Sequence, residues 1–266
     1  MRNISYLTVA VLILGALLTS CDKNDDNSGT DDKVYPTTIY RLSTETLLQM
    51  NNDFAKRNPK VTSTVNMFGF LQQGASPYNY SSGGVTEEEG IAIVKAFVGL
   101  NPKYTGVINP DDVVFKKIPQ NEIGINKSTI WNFMSEPQKN GGIEVLNTEI
   151  LFCIANGTLV HCSWNHFPNV YVPKNFNCDV EQAKSKLLGK EVFHYGWGGQ
   201  YSGGIVTAEH LQQCTSKLLI DPVTSNDKIE LRVVWQISLP SMFYIFEIDV
   251  MTGDIIREWS TITPSM

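Results

Sequence analysis

Apolar spacing divides the chain into helix-like and strand-like segments. In TEEEGIAIVKAFVG, Ile91, Val94 and Val98 recur at helical spacing, and Ile93 and Phe97 widen the stripe. Thr86 followed three residues later by Glu89 forms a capping-box pattern, Val85 is placed for a hydrophobic staple, and Gly99 marks a stop. An earlier helix is predicted in RLSTETLLQMNNDFAKRNP, capped by Ser43 or Thr44, burying Leu47, Leu48 and Phe54, and ended by Pro59. Strand-like runs follow at DVVFKKI, STIWNFM, IEVLNTEILFCIA and GTLVHCSWN. Asn156-Gly157 joins the last two as a two-residue hairpin turn, because both residues tolerate positive φ.

The second half repeats this order. Asp179 with Gln182 resembles another capping box, Val180, Ala183 and Leu187 line one helical face, and Gly189 follows as a stop. After a glycine-rich insertion and a short helical turn near TAEHLQQ come KLLID, IELRVVWQISL, MFYIFEIDV and DIIREW. Neither half alternates strand with helix as a parallel sheet does. The expected fold class is therefore α+β: two similar modules, each a helix packed on a curved antiparallel sheet of about four strands, the outer sheet face open to water. The expected boundaries are a helix and loop segment over 35–85, a first module over 86–170, and a second over 171–262 that carries the Gly/aromatic insertion 191–206.

The N-terminus reads differently. Arg2 precedes YLTVAVLILGALL, an apolar run too short to span a membrane comfortably. Leu18-Thr19-Ser20-Cys21 then resembles a lipobox, which predicts a lipoprotein signal peptide over 1–20 and a lipid on Cys21. The polar, acidic DKNDDNSGTDDK makes residues 21–34 a solvated tether. This stretch also resembles the acidic export signal of some diderm-bacterial surface lipoproteins. Asp22, directly after the lipid cysteine, matches the inner-membrane retention residue of enteric-type sorting. The expectation is a cell-envelope protein held in the outer membrane by its N-terminal lipid and exposed at the surface. Hydrophobic residues make up 42% of the 266 positions, ample for a buried core. The net charge of −6, without a basic block, argues against nucleic acid as a partner.

Cys153, His161 and Cys162 fall within ten positions, and His166 follows, which raises the question of a metal or catalytic site. Counting from Asn156-Gly157, Cys153 faces Val160 and Phe152 faces His161. Cys153, Val160, Cys162 and Trp164 then share one face, while Phe152, Ile154, Leu159 and His161 share the other. His161 thus points away from both cysteines, and the expectation is no metal. An oxidising compartment permits disulfides among Cys153, Cys162, Cys178 and Cys214, with the pairing open. No H-E-x-x-H, G-x-S-x-G or P-loop pattern occurs, so neither an enzyme nor a cofactor is expected. In the insertion, His194, Tyr195, Trp197 and Tyr201 are interleaved with five glycines, the composition of a glycan-stacking loop. The favoured expectation for these residues is an ordered surface loop whose aromatics pack back on the sheet.

Several of these residues together resemble the propeptides of thermolysin-type metalloproteases, which contain a fungalysin/thermolysin propeptide (FTP) motif followed by a PepSY module. Gln138, Gly142, Ile143 and Val145 match the family's Q-x-x-x-G-[VI]-x-V, and Asn156-Gly157 matches its turn. VVWQISL and YIFEIDVMTGDIIRE are similar to the PepSY ending, with Asp249, Thr252, Gly253, Asp254 and Ile255 carrying the match. The similarity covers roughly residues 86–260. Asn147 stands where the family often has Gly, and the insertion has no counterpart. The resemblance implies a propeptide-like binding protein that inhibits or assists a protease, or binds another protein. No protease domain stands between the last strand and Met266, so the action is expected in trans. The competing expectation is a surface lipoprotein that binds a glycan or other small ligand.

Overall fold

The computed structural model describes residues 34–72, 85–105, 107, 109–112, 115–117, 130–155, 157–163, 165–167, 170–196 and 199–262. The signal peptide, Cys21 and nearly all of the tether lie outside these residues. Strand β1 (Thr37–Tyr40) leads into helix α1 (Thr44–Arg57), where Ser43 Oγ accepts from Thr46 N–H. Phe54 is buried and Leu47 is partly buried, whereas Leu48 is 62% exposed, a departure from the expected buried face. Two short strands, β2 (Thr64–Val65) and β3 (Leu71–Gln72), form a small pair. Helix α2 (Glu87–Leu100) begins with the capping box: Thr86 N–H donates to Glu89 and Glu89 N–H donates to Thr86 Oγ1. It runs through Gly99 to Leu100 and is followed by the single turn α3 (Pro102–Thr105).

Strands β4 (Phe115–Lys117) and β5 (Ile130–Ser135) come next, then β6 (Lys139–Asn140), β7 (Ile143–Val145), β8 (Leu151–Ala155) and β9 (Thr158–Ser163). Four of these make one antiparallel sheet in the order β4-β5-β8-β9. Both helices close on it: Phe54 meets Phe97 edge-on at 6.3 Å, and Phe97 meets Phe152 at 6.3 Å. Val94, Val98, Phe133, Ile154 and Leu159 complete this core.

IEVLNTEILFCIA is not one strand. It breaks after Val145, and β7 leaves for the other sheet. Asn147 adopts φ +57°, a left-handed conformation that Asn tolerates better than most residues. The Thr148 hydroxyl donates to Val145 C=O (2.6 Å) and accepts from Gln138 N–H (2.8 Å), which holds the bend.

The second half opens with α4 (Val180–Ser185) on the Asp179/Gln182 capping box. The insertion is a β-ribbon of β10 (Glu191–Gly196) and β11 (Gly199–Ile205), where the sequence suggests a loop. Helix α5 (Ala208–Gln212) precedes β12 (Thr215–Thr224), β13 (Lys228–Leu239), β14 (Tyr244–Asp249) and β15 (Ile255–Ser260). These four form an antiparallel meander. The sheet then extends across the chain midpoint: β7 pairs in parallel with β12, β6 pairs with β7, and β1 pairs with β13, making seven strands.

The fold is thus mixed α+β and mostly sheet, and the seven-stranded sheet takes β1, β6 and β7 from the first half. Ala183 of α4 and Leu187 just beyond it pack with Ile237, Phe246 and Ile248. A further core draws on both halves: Ile39, Val145 and Phe167 from the first pack with Ile220, Leu231 and Val233 from the second. Gln138 ties the same junction, its Nε2 donating to Phe167 C=O (2.7 Å) and its Oε1 accepting from Phe167 N–H (2.9 Å).

Leu231 is fully buried at this junction. Leu231→Ala should lower stability by about 2–5 kcal/mol in urea titration, and Leu48→Ala by less than about 0.5 kcal/mol. Equal effects at the two positions would contradict the assigned core.

Candidate functional site

The Cys/His hairpin reverses between Ala155 and Thr158, with Gly157 at φ +70° and Asn156 outside the described residues, but it does not keep its predicted register. Ala155 pairs with Thr158 and Ile154 with Leu159, then a β-bulge intervenes. Val160 is the extra residue, so Cys153 lies opposite His161 and Phe152 opposite Cys162. His161 and Cys162 therefore exchange the faces that simple counting assigns them. Cys162 sits in the helix-covered core beside Phe152 and Ile154, while Cys153 joins Ala155 and Val160 on the far side. The three residues remain divided between the faces. Burial pushes the Cys153 thiol up to about 11. Burial likewise pushes Cys162 up to about 12, against a hydrogen bond from Ser63. Neither is an activated thiolate. The buried His161 has no partner at Nδ1, and burial lowers its pKa. The cysteines at 153, 162, 178 and 214 are all free thiols.

The ribbon carries three of the four candidate ligand-binding residues. Trp197 and the lipidation residue Cys21 lie outside the described residues. His194 is 4% exposed and already engaged. Its Nδ1 hydrogen-bonds Ser260 Oγ at 2.7 Å, and its ring lies 5.4 Å from Tyr201 and 5.9 Å from Tyr244. Gly203 makes this fit: a Cβ there would sit 2.3 Å from His194 Nε2. Tyr195 and Tyr201 are exposed. Tyr201 pairs with His194 and Tyr195 with Gln200, so the two tyrosines stand on opposite faces of the ribbon. They do not form one stacking platform. Lys190 pairs with Glu258 at 3.0 Å, fixing the ribbon's base to β15.

The most unusual chemistry lies elsewhere. Polar residues alternate along β12 to β15, a pattern that reads as a wet sheet face. Yet Asp221, Glu247 and Asp249 on that face are fully buried, with Leu219 and Val234 between them. Asp249 is saturated with donors. Its Oδ1 accepts from Met251 N–H (2.7 Å) and Thr252 N–H (3.0 Å), and its Oδ2 from Arg232 Nη1 (2.9 Å) and Tyr35 hydroxyl (2.9 Å). Gly253, at φ +70°, closes the same turn by donating to Asp249 C=O (2.8 Å). Burial, then the Asp249 charge, hold the Tyr35 phenol far above its usual range. That hydroxyl also accepts from Val233 N–H (3.0 Å), at the step on the β13 edge between β1 and β14.

The second group spans four strands. Glu247 accepts from Gln236 Nε2 (3.0 Å) and Arg257 Nε (2.9 Å). Arg257 Nη2 reaches on to Asp221 Oδ1 (3.0 Å), while its guanidinium carbon lies 5.3 Å from the Trp259 ring. Asp221 Oδ2 is buried without a partner. Among the described residues, no three or more His, Cys, Asp or Glu gather to hold a metal ion. The signal that could have found these carboxylates is their register: they align across neighbouring strands with Arg232 and Arg257.

No protein-family model and no curated protein match the chain. Among solved structures, the YpeB C-terminal domain of Bacillus megaterium is similar over 84% of this chain and 99% of that domain. The identity is 12% and the TM-score 0.30, a superposition too loose to carry an argument about fold or activity.

Asp249→Ala removes the acceptor for four donors and should destabilise the protein by about 3–5 kcal/mol in urea titration. A loss below about 1 kcal/mol would show that the turn holds without it. Gly203→Ala should displace His194, read as a shift of its imidazole NMR signals and a lower thermal midpoint. Unchanged imidazole signals would contradict the packing described.

Proposed function

We propose that the chain is a non-enzymatic binding protein of the cell envelope, held at the outer membrane by lipid on Cys21, that inhibits or assists a protease in trans. The observation that carries this reading is the turn around Asp249. The residues that resemble the PepSY ending, Asp249, Thr252 and Gly253, form one hydrogen-bonded unit, as a structural motif must. The FTP-like residues support it as well: Gln138 clamps the backbone of Phe167, and Ile143 and Val145 enter the shared core. β15 offers a docking edge, since among the described residues no strand pairs with its outer side. An extended segment of a partner would gain affinity there from main-chain hydrogen bonds.

Glycan binding is the weaker reading, because His194 is buried and Tyr195 and Tyr201 face apart. Among the described residues, no helix is long and apolar enough to cross a membrane, so anchoring in this reading rests on the lipid.

Affinity capture from envelope and secreted fractions tests the proposal. The expected result is enrichment of a peptidase whose activity changes when the purified protein is added. No enriched peptidase, together with unchanged secreted proteolysis in a deletion strain, would sink it.

A further inference from the structure

Among the described residues, Asp221 is the one buried carboxylate on the outer face that lacks a donor for one of its oxygens. Asp249 has four donors and Glu247 two. Asp221 has Arg257 on Oδ1 and nothing on Oδ2. A buried acceptor without a partner costs free energy. Glu247, itself an acceptor, shares Arg257 with Asp221: Arg257 Nη2 donates to Asp221 (3.0 Å) and Arg257 Nε to Glu247 (2.9 Å). Two ionised carboxylates cannot abut under a single guanidinium without repulsion. A proton on Oδ2 removes both problems, turning the orphan oxygen into a donor to Glu247. A metal cation is the poorer solution, because Arg257 already stands where it would sit.

We propose that Asp221 is a proton-sensing group: it holds its proton in the folded protein, donates from Oδ2 to Glu247, and on losing it weakens the hold of β15 on the sheet.

The charges facing Asp221 can be named strand by strand among the described residues. β12 itself contributes Lys217, which pairs outward with Glu144 of β7 at 3.0 Å. β13 contributes Arg232, directly opposite in register, but its guanidinium is committed to Glu230 and Asp249. β14 contributes Glu247 and Asp249, and β15 contributes Arg257. Arg257 alone therefore offsets two carboxylates, and it lies on the edge strand. Burial first, then the Glu247 charge, push the Asp221 carboxyl up to about 7, against the pull of Arg257.

The sign of the effect follows. An unfolded Asp titrates near about 3.9, so between about pH 4 and about pH 7 the folded protein binds one more proton than the unfolded chain. Stability from this group is full at the acid end of that window and is lost as pH rises through it. Buried His161 and half-buried His166, whose pKa values desolvation lowers, act in the opposite direction.

Urea titrations of the full chain in detergent micelles, between about pH 5 and about pH 7, would compare wild type with Asp221→Asn. The histidine contributions are common to both and cancel in the difference. The expected result is that the wild-type unfolding constant rises about tenfold per pH unit relative to the variant. Identical pH dependence in both chains would overturn the proposal. An infrared pH titration of the wild type needs no folded variant. It should show a protonated-carboxyl C=O band that disappears with a midpoint near about 7. Glu247→Gln should move that midpoint down, since it removes a charge that keeps the proton on. A wild type without the band at about pH 6, or a midpoint unmoved by Glu247→Gln, would equally refute the assignment.

Discussion

A strand in the middle of a sheet must pair its N–H and C=O groups along both edges, and β13 meets that demand with four different partners. β12 runs along one edge for ten register pairs. The other edge is shared end to end by β1 and β14, and the Tyr35 hydroxyl serves Val233 at the step between them. This arrangement brings a residue that follows the expected tether into contact with the turn at Asp249. It also sets the depth of the outer face, because Val234 in its centre is fully buried.

The two halves are joined by the same sheet. β7 leaves the first half to pair with β12, and Leu146 N–H donates to Ile220 C=O (2.9 Å). Phe167 and Val145 bring apolar surface from the first half onto Ile220, Leu231 and Val233. Burial of that surface is the main force holding the halves together, at roughly 25 cal/mol per Å2 of apolar area. The binding protein proposed above would therefore present one continuous sheet with β15 at its edge. Its charged groups serve mainly to hold that sheet.

Much of this was legible in local sequence. The capping boxes at Thr86 and Asp179 form because a hydroxyl or carboxylate three residues ahead of Glu or Gln satisfies helix-end amides without tertiary help. Gly157 and the run from Asp249 to Gly253 likewise encode turns through their own backbone preferences. What escaped depends on distant contacts. The bulge at Val160 shifts His161 and Cys162 by one residue, and no local composition marks it. The outer face reads as wet from its alternating charges, but those charges neutralise and cover one another across four strands. The ribbon at 191–205 reads as a loop because glycine weakens the strand pattern. Its Gly203 is instead the place where His194 packs closest.

Hydrogen exchange along a urea series tests most directly whether the halves are one unit. Peptides covering 143–146, 151–155 and 215–239 should lose protection together, with one dependence on urea. Full exchange of 151–155 while 215–239 stays protected would mean that two modules open independently, and would contradict the shared core and the β7–β12 pairing as the basis of the fold.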